Sequence, residues 1–172
     1  MARKTKTVLI TGASSGIGAA TAVLASKSGY DVGIHYNNDL KGAQLVAQMC
    51  EQEGAITHMF QGDVSNPEDV ERIFEEFDAA FPQMDALVNN AGIVDQPQRV
   101  EEMSYERLRR MVDVNLIGAM LVAQQGVLRM SRAFGGDGGV IVNTSSAAAR
   151  LGSANQYVDY AATKAGLDIF TK

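Results

Sequence analysis

Short apolar runs alternate along this chain with longer stretches whose apolar residues recur every three to four positions. The runs at residues 7–10, 32–36, 56–61, 86–89 and 140–144 read as β-strands. Residues 17–28, 40–53, 67–81 and 104–134 carry the helical period. The clearest is 67–81, where Val70, Ile73, Phe74, Phe77 and Phe81 fall on one helical face. Ser65-Asn66-Pro67-Glu68 in front of it reads as a capping box. Five strands alternating with helices predict a doubly wound α/β sheet of parallel strands, with ligands at the strands' carboxyl ends. No solenoid repeat or linker divides the chain, so residues 1–172 read as one domain. Gly135-Gly136-Asp137-Gly138-Gly139 precedes its strand, the wrong end to cradle a ligand, and is expected to be a flexible loop.

Composition narrows the function. An apolar share of 46 % against 20 % charged residues is that of a folded domain and argues against disorder. A net charge of −5 argues against a chain whose main partner is nucleic acid. Cys50 is the only cysteine, which excludes an internal disulfide framework and fits a reducing, cytoplasmic setting. No run of 18 apolar residues stands out, so no membrane partner is expected. Residues 1–6 are basic like the start of a signal peptide, but only Val8, Leu9 and Ile10 follow before Thr11-Gly12 breaks the run. His35 and His58 are expected as packed or surface strand residues, with no cluster to hold a metal.

The 17 glycines matter for where they cluster. Thr11-Gly12-Ala13-Ser14-Ser15-Gly16-Ile17-Gly18 follows the first strand and opens the first helix. Glycines there allow a tight turn and close approach to a pyrophosphate, whose charge the helix N-terminal amides then meet. A plain strand–helix turn is the simpler reading, but the place in the βα series favours a dinucleotide. Two rival motifs overlap this loop. Gly12-x-Ser14-x-Gly16 matches the nucleophile elbow of hydrolases, which needs a histidine late in the chain; both histidines are early. A P-loop needs a lysine where Ile17-Gly18-Ala19 has none.

Near the other end, Tyr160 and Lys164 lie four residues apart, on one face if the segment is helical. A nearby ammonium favours phenolate and brings a weak acid toward working pH for proton transfer. Upstream, Asn143-Thr144-Ser145-Ser146 puts hydroxyls at the carboxyl edge of the fifth strand, where one could bond a substrate oxygen.

Together these residues resemble the short-chain dehydrogenase/reductase family. The likeness runs through Thr11–Gly18, Asp63-Val64, Asn89-Asn90-Ala91-Gly92, Asn115, Asn143–Ser146 and Tyr160-x-x-x-Lys164, in the family's order and over essentially the whole chain. The resemblance implies a Rossmann-type sheet in strand order 3-2-1-4-5 and nicotinamide-dependent oxidoreduction of an alcohol/carbonyl pair. It implies Tyr160 as general acid/base, Ser146 holding the substrate oxygen, and Lys164 binding the nicotinamide ribose beside Tyr160. Asn115 would hold a water in a proton relay. Gly12, Ser14, Ser15, Gly16, Ile17 and Gly18 would take the pyrophosphate, Asp63 and Val64 the adenine, and Asn90, Ala91 and Gly92 the cofactor groove. Tyr157, three residues before Tyr160, has Ala161 where a lysine is needed. A homodimer or tetramer is implied through helix 104–134 and the Tyr160 helix.

The choice between NAD and NADP turns on the end of the second strand. Asp31 has the spacing of an NAD-binding acid but begins that strand, about 17 Å from the crevice at ~3.3 Å per residue. At the right end stand Tyr36, Asn37 and Asn38, with Lys41 a turn on and no carboxylate expected to repel a 2′-phosphate. This favours NADP. Gln96, Gln98 and Arg99 are expected in a solvated loop after Gly92. Family members run to about 250 residues. Lys172 follows Lys164 by eight positions, so the family's C-terminal elements are expected to be missing and the 172 residues to be part of a longer chain. The competing function is a nucleotide-binding fragment or pseudo-enzyme without turnover.

Overall fold

The computed structural model describes residues 5–172; Met1–Lys4, most of the basic start, lies outside the described residues. Strands β1 (Lys6–Ile10), β2 (Tyr30–Tyr36), β3 (Thr57–Gln61), β4 (Ala86–Asn89) and β5 (Val140–Asn143) form one sheet in the order β3-β2-β1-β4-β5. Every pairing is parallel. This is the doubly wound order expected, and it follows from alternation of strands with helices α1 (Gly16–Lys27), α2 (Leu40–Gln52) and α3 (Pro67–Ala80).

Alternation along the central strand divides the core. Val8 and Ile10 of β1 join Val32, Ile34, Ala43, Val46 and Cys50 beneath α1 and α2. Leu9 points the other way, into Phe60, Val70, Ile73, Phe74, Phe77, Leu87 and Val122. A strand buried on both faces must be apolar at consecutive positions, as β1 is. All five apolar positions of the expected 67–81 helix are buried. Its start differs from the expected capping box. Asn66 is the N-cap, its side-chain oxygen accepting from the Glu68 N–H at 2.9 Å. Pro67 takes the first helical position, which moves the cap one residue on from Ser65. The Ser65 hydroxyl donates to Asp63 instead.

The helix expected over 104–134 is one continuous helix from Tyr105 to Met130 with a π-helical turn, Asp113–Gly118, between α4 (Tyr105–Val112) and α5 (Ala119–Met130). Its most apolar stretch is long and apolar enough, by length and composition alone, to cross a membrane, as the core helix of a folded domain also can be. Its buried side packs on the sheet. Val122 and Met130 join the Leu87 cluster, and a Cβ at Gly126 would lie 2.6 Å from Leu87. The glycine run 135–139 is a loop, but a bonded one: the Gly138 N–H donates to Met130 and that of Gly136 to Ser131. A short helix not foreseen, α6 (Ala148–Leu151), precedes α7 (Val158–Thr171). Among the described residues β5 pairs only with β4, and Val140 and Val142 are 51 % and 50 % exposed.

The cap assignment has a measurable consequence. Asn66→Ala should lower the unfolding free energy in urea by about 1 kcal/mol, the usual worth of an N-cap. Ser65→Ala should lower it by less; the reverse ranking would return the cap to Ser65.

Candidate active site

Where parallel strands end, backbone groups lose their ladder partners, and here side chains from distant segments take over. The Thr11 hydroxyl accepts from the N–H groups of Asn90 and Ala91 at 2.9 and 3.0 Å. The Asn90 amide donates back to the carbonyls of Thr11 and Gly12 at 3.0 and 3.2 Å. These bonds draw the loop after β1 onto the loop after β4. The approach is close enough to demand glycine twice. Gly12 has φ +63°, and a Cβ there would sit 2.9 Å from Ala91 Cα. A Cβ on Gly18 would sit 2.3 Å from the Gly12 carbonyl oxygen. Ser15, the N-cap of α1, makes no side-chain cap bond, so the first amides of the helix are left for an anionic ligand.

A cleft of about 490 Å³ opens over these loops. Of the residues the sequence pointed to, Gly12, Ser14, Ser15, Ile17, Asn37, Asn38, Asp63, Val64, Asn90, Ala91 and Gly92 line it. Gly16 and Gly18 lie outside the lining and shape the turn. Tyr36 is also outside: strand alternation turns it to the α1–α2 face, where it packs with the Val32 and Ile34 cluster. Asp31 bonds the Ile56 N–H at the far end of the sheet, as expected. Two charged residues of the lining, Asp39 and Arg110, are not among those the sequence pointed to. Asp39 is the N-cap of α2, accepting from the Gly42 N–H at 2.9 Å, so a carboxylate does stand at this end of the cleft. An aspartate just before a helical run is itself the cap signal that could have found it. Arg110 lies one turn before Val114 on the same face, and both line the cleft. The Arg110 side chain has no ion pair or hydrogen-bond partner among the described residues.

His35 does more than pack. Its Nδ1 accepts from the Gly12 N–H at 3.1 Å, which leaves Nε2 to donate to the Gly62 carbonyl, also at 3.1 Å. One neutral tautomer thus joins the loop after β1 to the loop after β3. Burial lowers its pKa to about 4, with Gly62, Asp63 and Asp69 opposing. His58 is exposed and packs edge-on against Phe81.

On the other side of Gly92 the remaining residues converge. The Asn115 side chain, fully buried in the π-helical turn, accepts from the Ile93 N–H at 2.7 Å. It donates to the Ile93 carbonyl at 2.8 Å and to the Met111 sulfur. Its amide is therefore engaged in holding the strand-end loop, and a water relay at Asn115 would need its backbone. A Cβ on Gly92 would lie 3.1 Å from Asn115 Oδ1 and 3.6 Å from Lys164 Nζ. Lys164 is buried and donates to the Thr144 carbonyl at 2.7 Å, the one acceptor it has among the described residues. Burial pushes its ammonium below the usual lysine range, against the pull of Asp168. Tyr160 stands one turn before it on α7, its ring centroid 5.9 Å from Nζ. Ser146 lies two residues past Thr144, its hydroxyl accepting from the Ala148 N–H that opens α6. No hydrogen bond joins Ser146 to Tyr160 among the described residues.

With this geometry in hand, comparison with known proteins is specific. The family model described as short chain dehydrogenase matches residues 6–172. The chain is 42 % identical over 163 residues to the uncharacterized oxidoreductase YgfF of Escherichia coli (strain K12), covering 95 % of this chain and 66 % of that protein. It is 38 % identical over 155 residues to a 3beta-hydroxysteroid dehydrogenase of Mediterraneibacter gnavus, covering 89 % of this chain and 54 % of that one. The crystal structure of acetoin dehydrogenase YohF from Salmonella typhimurium superposes with a TM-score of 0.89 at 32 % identity, over 98 % of this chain and 65 % of that one. The chain thus spans between about half and two thirds of the length of these relatives.

The His35 tie predicts a pH dependence with a definite sign. A buried neutral imidazole costs nothing above the unfolded pKa of about 6.5. As pH falls below that value the unfolded chain takes up a proton that the folded one resists, so stability is lost until about pH 4. The loss amounts to about 3 kcal/mol at most. Urea unfolding between pH 7.5 and 4 should show this slope, and His35→Asn should flatten it. An unchanged slope in the variant would place the acid sensitivity elsewhere.

Proposed function

The chain belongs to the short-chain dehydrogenase family, and from that premise we propose that it carries out NAD(P)-dependent transfer of a hydride between nicotinamide and an alcohol/carbonyl pair. The observation that carries this reading is the convergence of Gly92, Asn115, Lys164 and Tyr160 beside a cleft built on an uncapped helix start. The residues fit a dinucleotide. The open amides at the start of α1 suit its pyrophosphate, and Lys164 keeps N–H donors beyond its bond to Thr144 for a ribose hydroxyl. When bound, the nicotinamide supplies or accepts the hydride.

The rest of the chemistry falls to this chain's side chains. Tyr160 holds the proton that passes to or from the substrate oxygen. Lys164, held by the Thr144 carbonyl, places a buried positive charge one turn from that phenol. The Ser146 hydroxyl donates to the same substrate oxygen. Asn115 keeps the floor of the site in place through Ile93. Two relatives are named for oxidising a hydroxysteroid and acetoin, which supports an alcohol/carbonyl substrate.

For the cofactor we favour NADP. Asn37 and Asn38 offer neutral donors, and Arg110 brings an unpaired cation to the same cleft. Asp39 weighs against it, but its carboxylate is turned to the Gly42 N–H at the start of α2. A homo-oligomer is supported by the apolar groove between α5 and α7, where Met120, Leu121, Val127, Leu128 and Phe170 lie together.

Tyr160→Phe should lower turnover by at least about 10²-fold, the usual worth of a positioned acid/base. Cofactor affinity should stay unchanged, and Tyr157→Phe should keep most of the activity. Steady-state assays over ketones and secondary alcohols with both nicotinamides check this; equal losses for the two tyrosines would overturn the assignment. Arg110→Ala should weaken NADPH binding, measured by fluorescence titration, more than NADH binding. Equal weakening would remove the basis for preferring NADP.

A further inference from the structure

Beside Tyr160 lies a buried ion pair with no part in the scheme above. The side chains of Arg107, from α4, and Asp159, from the first turn of α7, are only 9 % and 2 % exposed. The guanidinium donates to both carboxylate oxygens, at 2.7 and 3.3 Å. Its remaining nitrogen donates to the Gln96 carbonyl at 2.7 Å and the Gln98 side chain at 3.0 Å. The carboxylate in turn accepts from the Tyr160 N–H at 2.9 Å. A backbone bond from Gln98 to the Gln156 carbonyl, 2.9 Å, closes the circuit. Every other ion pair among the described residues has at least one partner half-exposed or nearly so.

Burying two charges sacrifices their hydration, and an apolar pair of similar volume commonly gives equal or greater stability. Stability is therefore a poor account of this pair; what it does is fix geometry. Three segments meet at one planar guanidinium: the loop that continues from Gly92, helix α4, and the turn that starts the Tyr160 helix. A fork of donors sets both distance and angle, which a flexible ammonium does not. We propose that Arg107 and Asp159 are positioning residues, locking the first turn of α7, and with it Tyr160, against the loop 95–98 that flanks the reacting centre. This rests on the reading of Tyr160 as the proton donor.

The decisive variant is the double substitution Arg107→Met/Asp159→Leu, which removes both charges and leaves an apolar pair in their place. Its thermal midpoint should match that of the unaltered chain. Its kcat should fall about tenfold, the scale of a small misplacement of a reacting group, while KM for the cofactor holds. A 3-fluorotyrosine placed at 160 gives a readout independent of turnover: one sharp ¹⁹F line in the parent chain, broadened or split in the double variant. A folded double variant that keeps both its kcat and its single line overturns the proposal. Should that variant fail to fold, Arg107→Lys keeps the charge but loses the fork, and the same changes are expected at smaller size. No change there overturns the proposal equally. Tyr160→Phe separates the two readings, because turnover surviving in it sinks the proton-donor role while leaving the line shape to judge the lock.

Discussion

Parallel sheets end abruptly, and the backbone groups at their carboxyl edge must find partners that the ladder no longer supplies. In this protein that constraint organises almost everything around the cleft. Thr11 serves Asn90 and Ala91, His35 serves Gly12 and Gly62, Asn115 serves Ile93, and Lys164 serves Thr144. Asn89 reaches the Ala119 carbonyl and the Asn143 side chain. Each bond ties segments far apart in the chain. A buried polar group left without a partner costs about 1–3 kcal/mol, so these ties are strongly enforced. The residues that read as functional in the sequence are, in large part, the ones that close these strand ends.

That double duty explains what was legible beforehand. The strands and helices followed from period and run length, because β1 must be apolar on both faces and α3 on one. Gly12 stood out for its motif, and its φ and the nearness of Ala91 give the reason. The spacing of Tyr160 and Lys164 puts them on one face of a helix, which α7 is, while the roles expected of them rest on the family resemblance.

What was hidden depends on long-range contact. Nothing local in His35 marks it as the bridge between two loops, because its partners are backbone groups 23 and 27 positions away. Arg107 and Asp159 are 52 positions apart, and each alone looks like a surface charge. Tyr36 faces the Val32 and Ile34 cluster because neighbours in a strand face opposite ways, so a place at the strand end does not by itself turn a side chain into the cleft. Asp39 belongs to the cap of α2 rather than to β2, which ends three residues earlier at Tyr36, so the strand end alone does not mark it. The helical period ran unbroken through residues 113–118 although a π turn sits there, because one widened turn barely disturbs an apolar stripe.

That π turn also carries a constraint on how the chain can change. Each α-helical residue advances the face by about 100°, and the π turn resets the phase between α4 and α5. Upstream of it, Arg107 looks toward Asp159 and Arg110 toward the cleft; downstream, Val122 and Gly126 look into the sheet. A change of one exposed side chain along this helix acts where it stands. A single added or deleted residue, by contrast, would swing every upstream contact, buried Met111 included, by about 100° against the downstream ones. The helix therefore works as a keyed shaft, in which length is held more tightly than composition.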